Sequence, residues 1–330
     1  DLDLVAGNES GTNKLYLNDG TSKGTWGGFP NSSAAGRGIG SDTDDTYSVV
    51  LGDVDGDGDL DLVAGNDGTN KLYLNNGTSV NGGFPDSSVA GTAIGSDTDY
   101  TQSVVLGDVD GDGDLDLVAG NDGTNKLYLN NGTSVNGGFP DINTAGTPIG
   151  REPDDTYSVV LGDVDGDGDL DLVAGNYGKT NKLYLTNGSG AFPYRTTAGT
   201  AIGSDSDDTY SVVLGDVDGD GDLDLVAGNY SGTNKLYLNN GSGGFSVGTV
   251  IGNEPDSTRS VVLGDVDGDG DLDLVAGNNG QTNKLYLNDG SGRFSATGTV
   301  IGNESDSTRS VVLGDVDGDG DLDLVAGNDG

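Results

Sequence analysis

Cysteine, histidine and methionine are absent from the chain's 330 residues, and only 14 residues are basic. Without cysteine there is no disulfide, no zinc–thiolate centre and no thiol nucleophile. Without histidine the commonest general base is missing too. The lack of disulfides does not point to the cytoplasm, because bound metal can staple a secreted fold in their place. No apolar run approaches the ~20 residues that a membrane-spanning helix needs. Methionine is missing even at residue 1, so the sequence is expected to be a processed product or a window on a longer polypeptide. Basic residues are outnumbered by 55 acidic ones, for a formal charge of -41. A field of that sign repels nucleic acid and anionic lipid and attracts divalent cations. Neither nucleic-acid binding nor membrane insertion is expected.

What the chain does have is glycine, 62 residues of it, and repetition. Six times it spells GDVDGDGDLDLVAGN, with the first aspartate at Asp53, Asp108, Asp163, Asp216, Asp265 and Asp315. The intervals are 55, 55, 53, 49 and 50 residues, and a truncated copy, DLDLVAGN, opens the chain at Asp1. An apolar content of 32% with so much charge would by itself suggest disorder. The apolar residues recur in fixed places, however, and many of the acids sit in one recurring loop, which argues for order when metal is present.

Residues 48–95 illustrate one repeat. Ser48-Val49-Val50-Leu51-Gly52 is a β-prone run ended by glycine. After the aspartate loop, Leu60, Leu62 and Ala64 alternate with Asp61 and Val63, the period of a strand. Gly65-Asn66-Asp67-Gly68 is a turn signal, and Lys71-Leu72-Tyr73-Leu74-Asn75 alternates again up to the Asn76-Gly77 turn. A less regular fourth element is expected near Phe84 to Ile94. No stretch carries helical apolar spacing over ten residues. The expected fold is therefore all-β: a β-propeller-type array of four-stranded antiparallel blades of about 50 residues each, with six to seven blades in a closed, open or longer array. A β-sandwich fits the uniform repeat less well. Units are expected near 1–47, 48–102, 103–157, 158–210, 211–259, 260–309 and, in part, 310–330. Because no blade can bury its own faces, 1–330 reads as one array. The DLDLVAG strand occurs seven times and SVVLGD six, so completion by further residues or by a second copy, head to tail, is also expected.

The loop is a metal-binding pattern. Its aspartates are Asp53, Asp55, Asp57, Asp59 and Asp61 in the first complete copy, then Asp108, Asp110, Asp112, Asp114 and Asp116. The third and fourth copies hold Asp163, Asp165, Asp167, Asp169 and Asp171, and Asp216, Asp218, Asp220, Asp222 and Asp224. The last two hold Asp265, Asp267, Asp269, Asp271 and Asp273, and Asp315, Asp317, Asp319, Asp321 and Asp323. Calcium takes 6–8 oxygens at roughly 2.3–2.6 Å, and alternating carboxylates in a tight loop can converge on one ion. Gly58 permits the sharp turn. The Asp59 position is expected to offer its backbone carbonyl and leave its side chain outside, while Asp61 closes the site. An EF-hand would carry a bidentate Glu at position 12, where this loop has Ala64. About six calcium sites follow, one per complete copy. In the truncated copy only Asp1 and Asp3 remain, too few to hold calcium alone.

The run GDVDGDGDLDLVAGN…TNKLYLNNGSGGFS resembles the FG-GAP-like, or VCBS, repeat, a family related to the blades of the integrin α-subunit head. The resemblance covers essentially the whole chain. It implies a β-propeller, frequently seven-bladed, with calcium in a loop between blade strands, and it assigns the ligand role to Asp53, Asp55, Asp57, Asp61 and their equivalents. Leu51-Gly52 stands where the family name has FG, and Val63-Ala64-Gly65 where it has GAP, so integrin-type ligand specificity does not transfer.

An enzyme needs a poised acid, base or nucleophile. Acids such as Asp44, Asp45, Glu152 and Asp154 recur in near-identical segments, as scaffold features do, and no intrinsic enzyme is expected. The first functional reading is a calcium-stabilised structural or adhesive repeat protein outside the cell, able to form fibres by head-to-tail completion. A glycan- or protein-binding propeller module is the alternative, and an accessory domain of a secreted enzyme is a third. Tyr73, Tyr128, Tyr184, Tyr237 and Tyr286 lie in the strand pattern and read as blade packing. Trp26, among Gly24, Gly27 and Gly28, is a candidate contact residue. An extracellular or cell-surface location follows from calcium supply, since weak sites with Kd of about 10⁻⁴–10⁻³ M fill only there.

Overall fold

The computed structural model describes residues 2–18, 29, 36–78, 80–133, 135–192 and 198–329. In the type repeat, Thr46–Gly52, Asp61–Asn66, Lys71–Tyr73 and Thr92–Ala93 form one antiparallel sheet in chain order. Each connection is short enough that sequential strands pair side by side. Five such four-stranded sheets follow one another along the chain. They are preceded by a three-stranded sheet (Leu4–Ala6, Asn13–Tyr16, Arg37–Ile39) and followed by a two-stranded one (Ser307–Gly314, Asp323–Asp329). Among the described residues the only helical pieces are two 3-10 turns, Val80–Gly83 and Val135–Gly138.

The fourth strand is shorter than the expected element from Phe84 to Ile94. Only Thr92–Ala93 pairs with the third strand, through Lys71↔Ala93 and Leu72↔Thr92. Gly82 and Gly83 take positive φ, and Pro85 has no N–H to donate, so the ladder cannot run through this stretch. Phe84 instead drops into the core beside Leu15 and Ile39. The two repeats that lack this insertion pair three residues, Thr249–Ile251 and Thr299–Ile301.

The chain divides into two compact units. One is Asp1–Thr156 with Thr186–Ala198 and Val316–Asp319; the other is Tyr157–Leu185 with Gly199–Asp315 and Gly320–Gly330. In the first unit, the strand Asp61–Asn66 is buried throughout. Leu62 and Ala64 pack with Leu15 and Ile39 of the preceding sheet, while Val63 packs with Leu117 and Ala119 of the following one. Successive side chains of a strand point to opposite faces, so one strand serves two cores. Burying each Leu or Val fully contributes about 1.5–3 kcal/mol. Gly65 marks how close the sheets come. A Cβ there would lie 2.8 Å from Val104 Cγ1 and 2.9 Å from Thr101 Cγ2, inside van der Waals contact. The second unit repeats the scheme, with Val173 beside Leu225 and Ala227, and Val226 beside Leu274 and Ala276.

Candidate metal centre

The aspartate loop joins the first and second strands, which pair at that end through Gly52↔Asp61. Asp53 organises it. Its Oδ1 accepts the backbone N–H of Gly56 at 2.9 Å and of Asp57 at 3.0 Å, and its Oδ2 accepts that of Gly58 at 3.0 Å. The chain can wrap one carboxylate this tightly because Gly56 and Gly58 take φ of 76° and 94°, a region L side chains rarely enter. Asp57 and Asp59 donate their N–H groups to the carboxylates two residues earlier, Asp55 and Asp57. The result brings oxygens of Asp53, Asp55 and Asp57 within 4.8 Å of one another. Equivalent clusters form from Asp108, Asp110 and Asp116, from Asp163, Asp165 and Asp171, from Asp216, Asp218 and Asp224, and from Asp265, Asp267 and Asp269. In the sixth copy Asp315 Oδ2 accepts the Gly320 N–H at 3.0 Å, Asp317 Oδ1 accepts the Asp319 N–H at 3.1 Å, and Asp323 pairs with Gly314.

The closing aspartate is buried in the first five complete copies and half-buried, as Asp323, in the sixth. Asp61, Asp116, Asp224 and Asp273 are 0% exposed. Asp61 Oδ2 accepts the Val54 N–H at 3.0 Å, and its Oδ1 accepts the Asn75 N–H at 2.7 Å. Burial nevertheless pushes Asp61, Asp116 and Asp224 up to about 6, against the pull of those two N–H groups. Burial, then the charge of the next aspartate, raises Asp55, Asp110, Asp165 and Asp218 as well. These clusters bring like charges together, and a carboxylate without a counter-charge is costly in such a site. All-oxygen donors at this density suit a hard divalent cation, and the residues present fit calcium.

The fourth aspartate of the loop turns elsewhere. A Cβ on Gly77 would overlap the Asp59 carboxylate, and Gly132, Gly241 and Gly290 stand in the same relation to Asp114, Asp222 and Asp271. These side chains lie against the turn that follows the third strand. Of the remaining aspartates, Asp112 and Asp220 donate N–H groups to the first carboxylate of their loops, Asp108 and Asp216. The Asp169 N–H goes to Asp167, and Asp321 sits one residue before the last strand's lead-in. In the truncated copy, Asp3 Oδ1 accepts the Asn18 N–H at 2.8 Å, as Asp61 does from Asn75. Asp1 and Trp26 lie outside the described residues.

Sequence reasoning missed the asparagines that tie one loop to the next. Asn130 donates its N–H to Asp116 Oδ1 at 2.8 Å and its side-chain amide to the Val54 carbonyl of the preceding repeat, also at 2.8 Å. Asn239 does the same between Asp224 and Val164, and Asn288 between Asp273 and Val217. Asn18 bonds the Val316 carbonyl at 2.9 Å. The signal was present as an asparagine directly after KLYL in every copy but one, where Thr186 stands, but Asn-Gly reads first as a turn.

The acids before the first strand are structural partners. Asp97 takes an ion pair from Lys126 at 2.7 Å, a hydrogen bond from the Tyr128 hydroxyl at 3.0 Å and the Gly146 N–H at 2.6 Å. Lys71 with Asp42, Lys235 with Asp205 and Asp207, and Lys284 with Glu254 and Asp256 repeat the arrangement. Tyr73, Tyr128, Tyr184, Tyr237 and Tyr286 are buried in the cores.

Solved structures share this fold. A lectin of Agrocybe aegerita, described as recognising non-reducing terminal N-acetylglucosamine, is 22% identical, with a TM-score of 0.58 over 92% of this chain and 77% of that one. The BP39L lectin of Burkholderia pseudomallei is 13% identical, with a TM-score of 0.58 over 99% and 91%. BBS1N, solved in complex with ARL6DN, is 13% identical, with a TM-score of 0.57 over 99% and 88%. At these identities the likeness shows the β-propeller fold. No curated protein matches the sequence. FG-GAP-like repeats match residues 1–64, 53–119, 108–174, 163–227, 216–276 and 265–326, each spanning two successive aspartate loops or their remnants. The chain belongs to the FG-GAP-like repeat family.

Proposed function

We propose that the chain is a calcium-stapled, non-enzymatic propeller module that binds glycans outside the cell. The observation that carries this reading is the likeness, over nearly the whole chain, to two lectins of the same fold. The non-enzymatic part is supported by the fate of the acids. Those in the loops converge where a cation could be held, and those before the first strands are held by lysine and tyrosine in repeat after repeat. Calcium is supported by the all-oxygen clusters and the buried closing aspartates, and the extracellular location by the calcium concentration such sites need. The near-identity of the repeats supports a structural or adhesive setting for the module. The test is a panel of immobilised oligosaccharides probed with the calcium-loaded chain. Saturable binding to a defined glycan is expected, and no binding to any glycan, with binding instead to a protein partner, would contradict the reading.

A further inference from the structure

At the end of the sheets away from the aspartate loops, the repeat pattern breaks. There the first and second strands pair through a threonine and an asparagine, Thr46↔Asn66 in the type repeat. The residue after that asparagine is an acid in two repeats, Asp67 and Asp122, but Tyr177 and Tyr230 in the next two. The residue after the threonine is Tyr47 and then Gln102 in the first two repeats, and Tyr157, Tyr210, Arg259 and Arg309 in the four that follow. Tyr157, Tyr177, Tyr210, Tyr230 and Arg259 all fall in the second unit. They form a contiguous cluster. The Tyr157 and Tyr210 rings stand 4.6 Å apart, Tyr210 and Tyr230 4.9 Å, and Tyr157 and Tyr177 5.5 Å. The Arg259 guanidinium lies 5.5 Å from the Tyr210 ring centre and 5.2 Å from that of Tyr230. Tyr177 is 41% exposed and the others are half-buried, so ring surface remains open to solvent. Tyr210 and Arg259 each occupy a register shift of the strand pair, between Thr209 and Ser211 and between Thr258 and Ser260. A bulge of this kind re-aims a side chain out of the regular alternation.

We propose that Tyr157, Tyr177, Tyr210, Tyr230 and Arg259 form a stacking platform for a neutral oligosaccharide. The assignment rests on the glycan-binding reading and gives that reading a location and a ligand class. Tyrosine presents a rigid apolar ring with a polar rim, at a low ordering cost for its contact area. The apolar C–H face of a pyranose packs on such a ring while its hydroxyls meet the phenolic rim. A row of rings accommodates successive sugar units of a chain. Arg259, lying over two of the rings, fixes their tilt and supplies donors to sugar oxygens. The charge of the whole chain decides the ligand's charge. At -41 its field disfavours uronic acids and sulfated sugars, and equally nucleic acid, whose bases also stack on tyrosine.

The test is calorimetric titration of the calcium-loaded full chain with chitotriose, cellotriose, maltotriose and trigalacturonate. The variants are Tyr177→Asp with Tyr230→Asp, and Tyr210→Gln, which install residues that sister repeats already carry at the same places. Their melting temperatures check the fold. Tyr47→Gln, in the pair that Tyr47 makes with Tyr100 at 4.8 Å in the first unit, is the control. A neutral trisaccharide is expected to bind, about tenfold or more weaker in each platform variant and unchanged in the control. Saturation transfer between tyrosine ring protons and sugar C–H protons in the wild-type chain gives a readout independent of any variant. Undiminished binding in the variants, or no such transfer, overturns the platform and leaves the glycan reading standing. Preferential binding of trigalacturonate overturns the neutral-ligand assignment. Absence of binding to every oligosaccharide, here and on the wider panel, overturns both.

Discussion

The side-chain amide of Asn130 donates to the backbone carbonyl of Val54 at 2.8 Å, across 76 residues of sequence. This bond links two aspartate loops. The Val54 N–H is bound by Asp61, and the Asn130 N–H by Asp116, so a continuous path runs from one buried carboxylate to the next. The same path connects Asp171 to Asp224 through Val164 and Asn239, and Asp224 to Asp273 through Val217 and Asn288. Neighbouring repeats therefore share polar bonds as well as apolar cores, and a cation held in one loop is expected to bear on the next.

Asn130→Ala removes the bridge and leaves the Val54 carbonyl buried without that partner. The expected loss is about 1–3 kcal/mol, read as a lower urea midpoint at unchanged slope. Calcium titration of the variant should also be less cooperative than that of the wild type. Unaltered cooperativity would show that the bridge is mechanical only.

Gly65→Ala drives a methyl into Val104 and Thr101 of the following sheet. Overpacking of this kind costs about 1–3 kcal/mol, whereas an exposed glycine-to-alanine change of compatible φ is neutral or stabilising. Thermal melts of Gly65→Ala beside Gly232→Ala, which meets open space and has an ordinary φ, make the comparison.

Lys126→Met should destabilise more than Tyr128→Phe. Burial raises Asp97, but the Lys126 ion pair and the Gly146 and Tyr128 hydrogen bonds outweigh it and hold the carboxyl below its usual range. Methionine leaves Asp97 charged and largely enclosed, its side chain 13% exposed, without its cation, at a cost of up to ~3 kcal/mol that solvent screening reduces. Phenylalanine removes one hydrogen bond, about 1 kcal/mol. Denaturant midpoints of the two variants decide the order.

Much of the fold was legible because it repeats. The alternation of Leu62, Val63 and Ala64 and the glycine-bounded SVVLG run read directly as strands, and the Asn-Gly and Gly-Asn-Asp-Gly signals as turns. The extent of the fourth strand was not legible, because Gly82, Gly83 and Pro85 break its ladder while Phe84 still looks like a strand residue. In the candidate site the clustering of Asp53, Asp55 and Asp57 follows from local spacing, which a sequence displays. The Asn130–Val54 bond and the tyrosine cluster do not, because each joins residues of different repeats. Tyr157 and Tyr210 are separated by one full repeat, and only stacking of the sheets brings their rings to 4.6 Å.

In cation-stripped buffer, stability should rise as the pH falls from 7 towards about 4. Asp61, Asp116 and Asp224 sit at about 6 in the folded chain against an ordinary value of 3.8, so the folded state binds more protons across that window. Stability gained by protonation is lost again as the pH rises through 6. With calcium present the trend should reverse, because protons then compete with the ion for the same oxygens. Melting temperature against pH, with and without calcium, tests both signs. A cation-free profile that falls steadily from pH 7 would contradict the burial argument.

On the reading that calcium holds the repeats folded, the decisive measurement is the thermal melt of the full chain in chelator, in magnesium and in calcium. One independent site at a free ion concentration of 100 Kd adds about 2.7 kcal/mol, and several coupled sites can match the whole ~5–15 kcal/mol margin of a typical domain. A large drop in melting temperature or loss of β-structure is expected in chelator, restored by calcium and poorly by magnesium. Superimposable melts in all three buffers would contradict it.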